Sequence, residues 1–209
     1  MADVVQSAFT RTIIEDVIAV YQRLDQDDTP RHRRDLVRTA FAAIEGLHWQ
    51  LKQDVLLHAF DALSMHERAA MSEETYLVDD RGNVNVVPRF LPLPSAIRLV
   101  VQMVKRYRPA YQVDYGHQGW ANLRSAVDIR NRLVHPKVIE DLVVSDREVE
   151  ATLSGFYWVL ALVIEVLRET NRDLEETREA LKTVVGEMRE KREGAKTVQI
   201  GHSPPDATE

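Results

Sequence analysis

The chain has 209 residues, no cysteine and a formal net charge of −6. This length supports one substantial core. The lack of cysteine excludes a disulfide framework, a thiolate metal site and a cysteine nucleophile. The acidic balance argues against indiscriminate binding to nucleic acid but leaves room for a local basic site.

Helices dominate the pattern. Ser7 is a candidate cap for a first helix to about Asp25, with Ile13, Val17, Val20 and Leu24 on one side. Thr29-Pro30 opens a second, because proline fits the first helical turn. Its apolar face carries Leu36, Ala40, Phe41, Ile44, Leu47, Leu51 and Val55, and it runs to about Leu63. A weaker helical piece follows near His66 to Met71. The run from Asp79 to Asn83 reads as a turn, and Val84 to Phe90 alternates enough for a short hairpin. The Leu91-Pro92-Leu93-Pro94-Ser95 segment breaks the chain and caps a helix from Ala96 to Tyr107. A loop then leads into a helix predicted over Gln118 to Val134.

Ser145 and Glu148 form a capping box ahead of a long helix. Leu153, Phe156, Tyr157, Leu160, Val163, Ile164 and Leu167 read as its core-facing residues. Leu153, Leu160, Leu167, Leu174, Leu181 and Met188 recur every seven residues, with Tyr157, Ile164, Asn171, Arg178 and Val185 between them. That is a heptad with asparagine at one a position, a coiled-coil pattern that Arg178 and Gly186 interrupt. We expect a helical domain over residues 1–170, a helical extension over 171–195 and a disordered tail over 196–209. The fold class expected is all-α, a bundle of about five helices with a long C-terminal helix and a small insert near residues 79–94. The start of the chain lacks a basic segment followed by an apolar run. The apolar stretch from Phe156 to Leu167 is shorter than the roughly 20 residues a span needs. The expectation is a cytoplasmic protein without membrane contact.

The Gln118 to Val134 helix carries the chemistry. Trp120, Leu123, Ala126, Val127, Ile129, Leu133 and Val134 form one apolar arc, and Arg130 falls near its middle. A guanidinium keeps its proton, so burying it calls for an anionic partner. Arg124, Asp128, Asn131 and His135 follow at helical spacing and line a neighbouring polar stripe. Pro136 biases His135 out of the helix and leaves its imidazole free to swing. Glu45 is one acid able to meet Arg130, although a surface ion pair with another residue is the simpler reading. His48 reads as a core histidine, and Trp49, Trp120 and Trp158 read as core. His58 and His66 show no metal-ligand spacing, and no phosphate loop, dinucleotide fingerprint or Ser–His–Asp pattern appears.

Arg130-Asn131, three residues and His135, followed by Pro136-Lys137, resemble the signature of the HEPN superfamily. These are small all-helical proteins of toxin–antitoxin, abortive-infection and CRISPR-associated systems. The capping box at Ser145 and the apolar helix with Trp158 match the usual continuation, so the likeness covers about Trp120 to Leu167. The insert near 79–94 is not part of the minimal family pattern. The resemblance implies a metal-independent endoribonuclease, without cofactor, acting on RNA as a homodimer whose two motifs meet in one site. Catalytic roles then fall to Arg130, Asn131 and His135, and Arg124, Arg132 and Lys137 are expected to bind substrate. A histidine suits proton transfer near neutrality, and an arginine holds a phosphate in a bidentate fork. The same resemblance leaves room for a cognate antitoxin or regulatory protein as partner. Two other readings stay open: a non-catalytic module that binds nucleotide or protein, and a coiled-coil interaction protein.

Overall fold

The computed structural model describes residues 2–168 of the chain. The chain divides into a unit over Met1–Val166 and another over Leu167–Glu209. The heptads beyond residue 168, the expected extension and the tail lie outside the described residues.

The fold is an all-α bundle with one small two-stranded sheet. Helix α1 spans Ala2–Gln26 and buries Val17 and Leu24. Ser7 lies inside it rather than capping it. Helix α2, Pro30–Ala59, starts where sequence chemistry places it: the Thr29 side chain accepts the His32 amide at 3.2 Å, and Pro30 fills the first turn. All seven expected apolar residues of α2 are buried, which makes it the spine of the bundle. A 3-10 turn, Phe60–Ala62, ends it. Ser64 and Glu67 then form a full capping box for α3, Met65–Met71.

Strands β1, Glu74–Val78, and β2, Val84–Pro88, pair antiparallel, with Tyr76 opposite Val86. The sheet therefore begins earlier than the alternation from Val84 suggested. Its turn is built by Asp79, whose carboxylate accepts the backbone amides of Arg81 and Asn83, and by Gly82 at φ 81°. Helix α4, Leu93–Tyr107, begins before Ser95, because Pro94 sits in the first turn where no amide is needed. Helix α5 is Gln118–Val134, as the periodicity predicted. A 3-10 turn, Ile139–Leu142, leads to α6, Asp146–Arg168.

The motif helix seats on α2. Val37 and Phe41 pack with Ala126, Ile129, Leu133 and Val144 in one buried cluster. At its other end, the Trp120 and Trp158 rings lie 5.2 Å apart, and Arg98 stands 4.7 Å over the Tyr115 ring. Helices α5 and α6 touch at glycines. A Cβ on Gly155 would lie 2.8 Å from the Leu123 Cα, and one on Gly119 would lie 2.7 Å from the Trp158 Cβ.

Helix α6 is rotated from the expected reading. Phe156, Val159, Val163 and Val166 are buried, whereas Tyr157 is 60% and Ile164 44% exposed. Leu153 and Leu160 are half-buried. The heptad stripe thus lies beside the core face, not on it. By length and composition this helix could cross a membrane, a property that the Phe156 to Leu167 run alone did not suggest.

The tight α5–α6 approach gives a first prediction. Gly155→Ala must push the Leu123 backbone away, so it should lower stability by about 1–3 kcal/mol, read as a reduced denaturation midpoint. An unchanged midpoint would mean the helices are not closely packed there.

Candidate functional site

The polar stripe of α5 is present: Arg124, Asp128, Asn131 and His135 are all exposed. Arg130 lies beside it, with its side chain 33% exposed. Its Nη2 donates to Glu45 Oε1 at 3.0 Å, and its Nη1 donates to Asn131 Oδ1 at 3.3 Å. Glu45 is therefore the acid that meets Arg130, against the simpler reading. The neighbours are committed elsewhere: Arg38 lies 3.7 Å from Asp35 and Lys52 lies 3.2 Å from Glu73. Half-open in this way, the Arg130–Glu45 pair contributes about 0–1 kcal/mol, so its main effect is to aim the guanidinium.

His135 terminates α5. Its backbone amide donates to the Asn131 carbonyl at 3.0 Å, and its φ of −125° and ψ of 57° leave the helix as Pro136 requires. Among the described residues its imidazole has no hydrogen-bond or ion-pair partner. The loop that follows is held by a residue the sequence did not single out. The Asp141 carboxylate accepts the Lys137 amide at 2.7 Å and the Val138 amide at 3.1 Å. Those two bonds pull the Asp141 carboxyl below the usual carboxylate range. The residue is recognisable only as an acid a few positions beyond a proline-marked helix end, a weak signal.

Arg132 is engaged by the protein itself. Its Nε donates to the Asp141 carbonyl at 3.0 Å, its Nη2 to the Val143 carbonyl at 2.7 Å and its Nη1 to Glu148 Oε1 at 3.0 Å. With all three branches engaged, it braces the connector into α6. Arg33 and Arg34 reach the same connector, donating to the carbonyls of Val144 and Leu142. These two arginines in the first turns of α2 thus serve the fold. Arg124 and the Lys137 side chain remain exposed.

A cleft of about 640 Å³ opens on the other side of Arg130. Arg130, Asn131 and Val127 from α5 form one wall, and Glu45, His48, Trp49 and Lys52 from α2 form the floor. Phe90 and Leu91, between the hairpin and α4, and Leu93, the first residue of α4, close the far side. His48 is buried, as a core histidine should be. Burial pushes its imidazole below the ordinary histidine range, and Lys52 adds to the shift while the Ala96 backbone and Glu73 oppose it. Trp49 does not sit in the core; it is 53% exposed and meets Phe9 edge-on at 6.4 Å. Trp120 is buried and Trp158 half-buried.

Among the described residues no group of three or more histidine, aspartate or glutamate side chains stands close enough to hold a metal ion. Comparison with family models, with curated proteins and with solved structures finds no match for this chain.

Asp141 generates a second prediction. Its folded-state carboxyl titrates below its unfolded value of 3.8. Its hold on the loop is therefore complete above that value and is lost as pH falls through the lowered one. Asp141→Ala should speed exchange of the Lys137 and Val138 amides by roughly tenfold or more at pH 7, since charge-assisted bonds are the strong ones. The melting midpoint should move little. Equal exchange in the variant and the parent would show that the loop is held by something else.

Proposed function

We propose that this chain is an endoribonuclease of the HEPN kind its motif resembles, cytoplasmic and part of a prokaryotic defence or toxin–antitoxin system. It acts as a two-fold dimer and needs no metal. The observation that carries the reading is His135. A histidine that served only to cap α5 would spend its imidazole on the helix end, but this one is exposed and unpartnered. It stands on one stripe with Asn131, which itself touches the guanidinium of Arg130.

The chemistry is transesterification. The 2′-hydroxyl loses its proton to one imidazole, its oxygen attacks phosphorus, and the P–O5′ bond breaks. A second imidazolium protonates the departing 5′-oxygen. The products are a 2′,3′-cyclic phosphate and a free 5′-hydroxyl. Arg130, aimed by Glu45, stabilises the charge that grows on the non-bridging oxygens. One chain supplies one such histidine, so the two proton transfers call for a second copy.

Two surfaces support pairing. Val134, Val138 and Ile139 flank His135 along the chain and are 44%, 56% and 72% exposed, apolar surface suited to a subunit seam. The half-exposed stripe of Leu153, Tyr157, Leu160 and Ile164 is free to extend the contact as a coiled coil.

The chemical prediction is that the full chain cuts single-stranded RNA in a chelator and leaves 2′,3′-cyclic ends. His135→Ala and Arg130→Ala should each lower the rate by at least about a hundredfold, with unchanged circular dichroism. Full activity in the double variant would leave the non-catalytic binding module as the better reading.

The assembly prediction is a dimer at micromolar concentration by sedimentation. Ile139→Asp, at an exposed position, should shift it toward monomer and lower cleavage in parallel. A parent protein that sediments as a monomer would remove the composite site.

A further inference from the structure

The cleft beside Arg130 is more than the back of the motif. Its charges neutralise one another, because Arg130 pairs with Glu45 and Lys52 with Glu73. What remains is aromatic surface with one unmet polar atom. Trp49 and Phe90 are 53% and 81% exposed at its edges. The His48 ring is 8% exposed and edges the floor; the Ala96 backbone interacts with it, but its buried Nε2 has no well-formed hydrogen bond. An orphaned buried polar atom costs about 1–3 kcal/mol, and folded proteins rarely leave one without a reason.

The far wall is held under strain. Glu73 has a φ of 55°, the left-handed region that a residue with a Cβ adopts only when its surroundings force it. Three bonds force it here. The Glu73 carbonyl accepts the Arg89 amide at 2.7 Å, and its carboxylate accepts the Leu91 amide at 3.3 Å and Lys52 Nζ at 3.2 Å. Glu73 thus pins the base of the hairpin to α2 and fixes the Phe90–Leu91 wall across the cleft from Arg130. Strain of this sort collects at ligand sites.

We propose that this cleft holds a single unpaired nucleobase, stacked on Trp49 and hydrogen-bonded along its polar edge to His48. A neutral flat ring with polar edges matches a cleft whose charges are paired and whose free surface is aromatic. A neutral imidazole presents a donor or an acceptor according to its tautomer, so it suits a base edge. The base comes either from an RNA chain whose phosphate passes Arg130 or from a free nucleotide. The first source rests on the ribonuclease reading and the second does not.

The test uses the full chain carrying His135→Ala, which keeps RNA uncut and leaves the cleft lining intact. The four nucleoside 5′-monophosphates, a short single-stranded RNA and inorganic phosphate are titrated by calorimetry. At least one mononucleotide should bind, and Trp49→Ala should weaken it by at least about tenfold. His48→Gln should reorder the preference among the four bases. With His135 restored, Trp49→Ala should raise KM for RNA and leave kcat near its original value. Trp49 is exposed, so its variant reports on the cleft even where a His48 variant fails to fold. Binding of mononucleotides lost in Trp49→Ala, in a chain that neither binds nor cuts RNA, supports the cleft and sinks the ribonuclease. RNA cleavage with unchanged KM in Trp49→Ala, and no mononucleotide bound, overturns the base site and leaves the ribonuclease standing. Inorganic phosphate that competes as well as a mononucleotide also overturns it.

Discussion

The segment between α5 and α6 has carbonyls that no sheet and no long helix satisfies, and arginines supply the missing donors. Arg132 serves Asp141 and Val143, Arg33 serves Val144 and Arg34 reaches Leu142. Backbone acceptors near a core must be paired, and a guanidinium offers several donors in fixed directions. The clamp decides where α6 begins, since Arg33 also pairs with Asp146 and Arg132 with Glu148. The Ser145 amide and hydroxyl complete that start by donating to the Glu148 carboxylate. It also anchors Asp141, whose carboxylate holds the loop after His135. The exposed histidine is positioned by this chain of contacts.

Helix α2 links the clamp to the cleft. Its first turn sends Arg33 and Arg34 to the connector. Its middle buries Val37 and Phe41 under α5, and the next turns present Glu45, His48, Trp49 and Lys52. These roles occupy different faces at successive heights, which a helix of this length allows. The motif residues and the cleft therefore share one rigid support. Arg130 stands at their boundary, with Glu45 and the cleft on one side and Asn131 on the other.

Much of the plan is legible in local pattern. The apolar face of α2, the extent of α5 and the Asp79 turn follow from residues within one element. So does the polar stripe that carries Asn131 and His135, because helical spacing alone places those side chains together. The misplacements share a cause. Trp49 lies by its spacing on an apolar face of α2 and reads as core, yet it stands one step off the buried face. In α6, Tyr157 and Ile164 read as one face with Phe156 and Val163, because a helix apolar over much of its circumference does not reveal which arc its neighbours cover.

Pairing across the fold is a different matter. Arg130 and Glu45 are 85 positions apart, and their meeting depends on the rotation and height of α5 against α2. The same packing made Arg132 a brace of the connector, and it set the Glu73-pinned wall opposite Arg130. Periodicity and capping act over a few residues, so the amino-acid order settled the helices, their caps and the side chains each face carries. The partner of each guanidinium, the exposure of Trp49 and the existence of a cleft depend on how complete helices approach one another. That approach is set by the close contacts of the whole core, at Gly155 against Leu123 as much as at Val37 and Phe41.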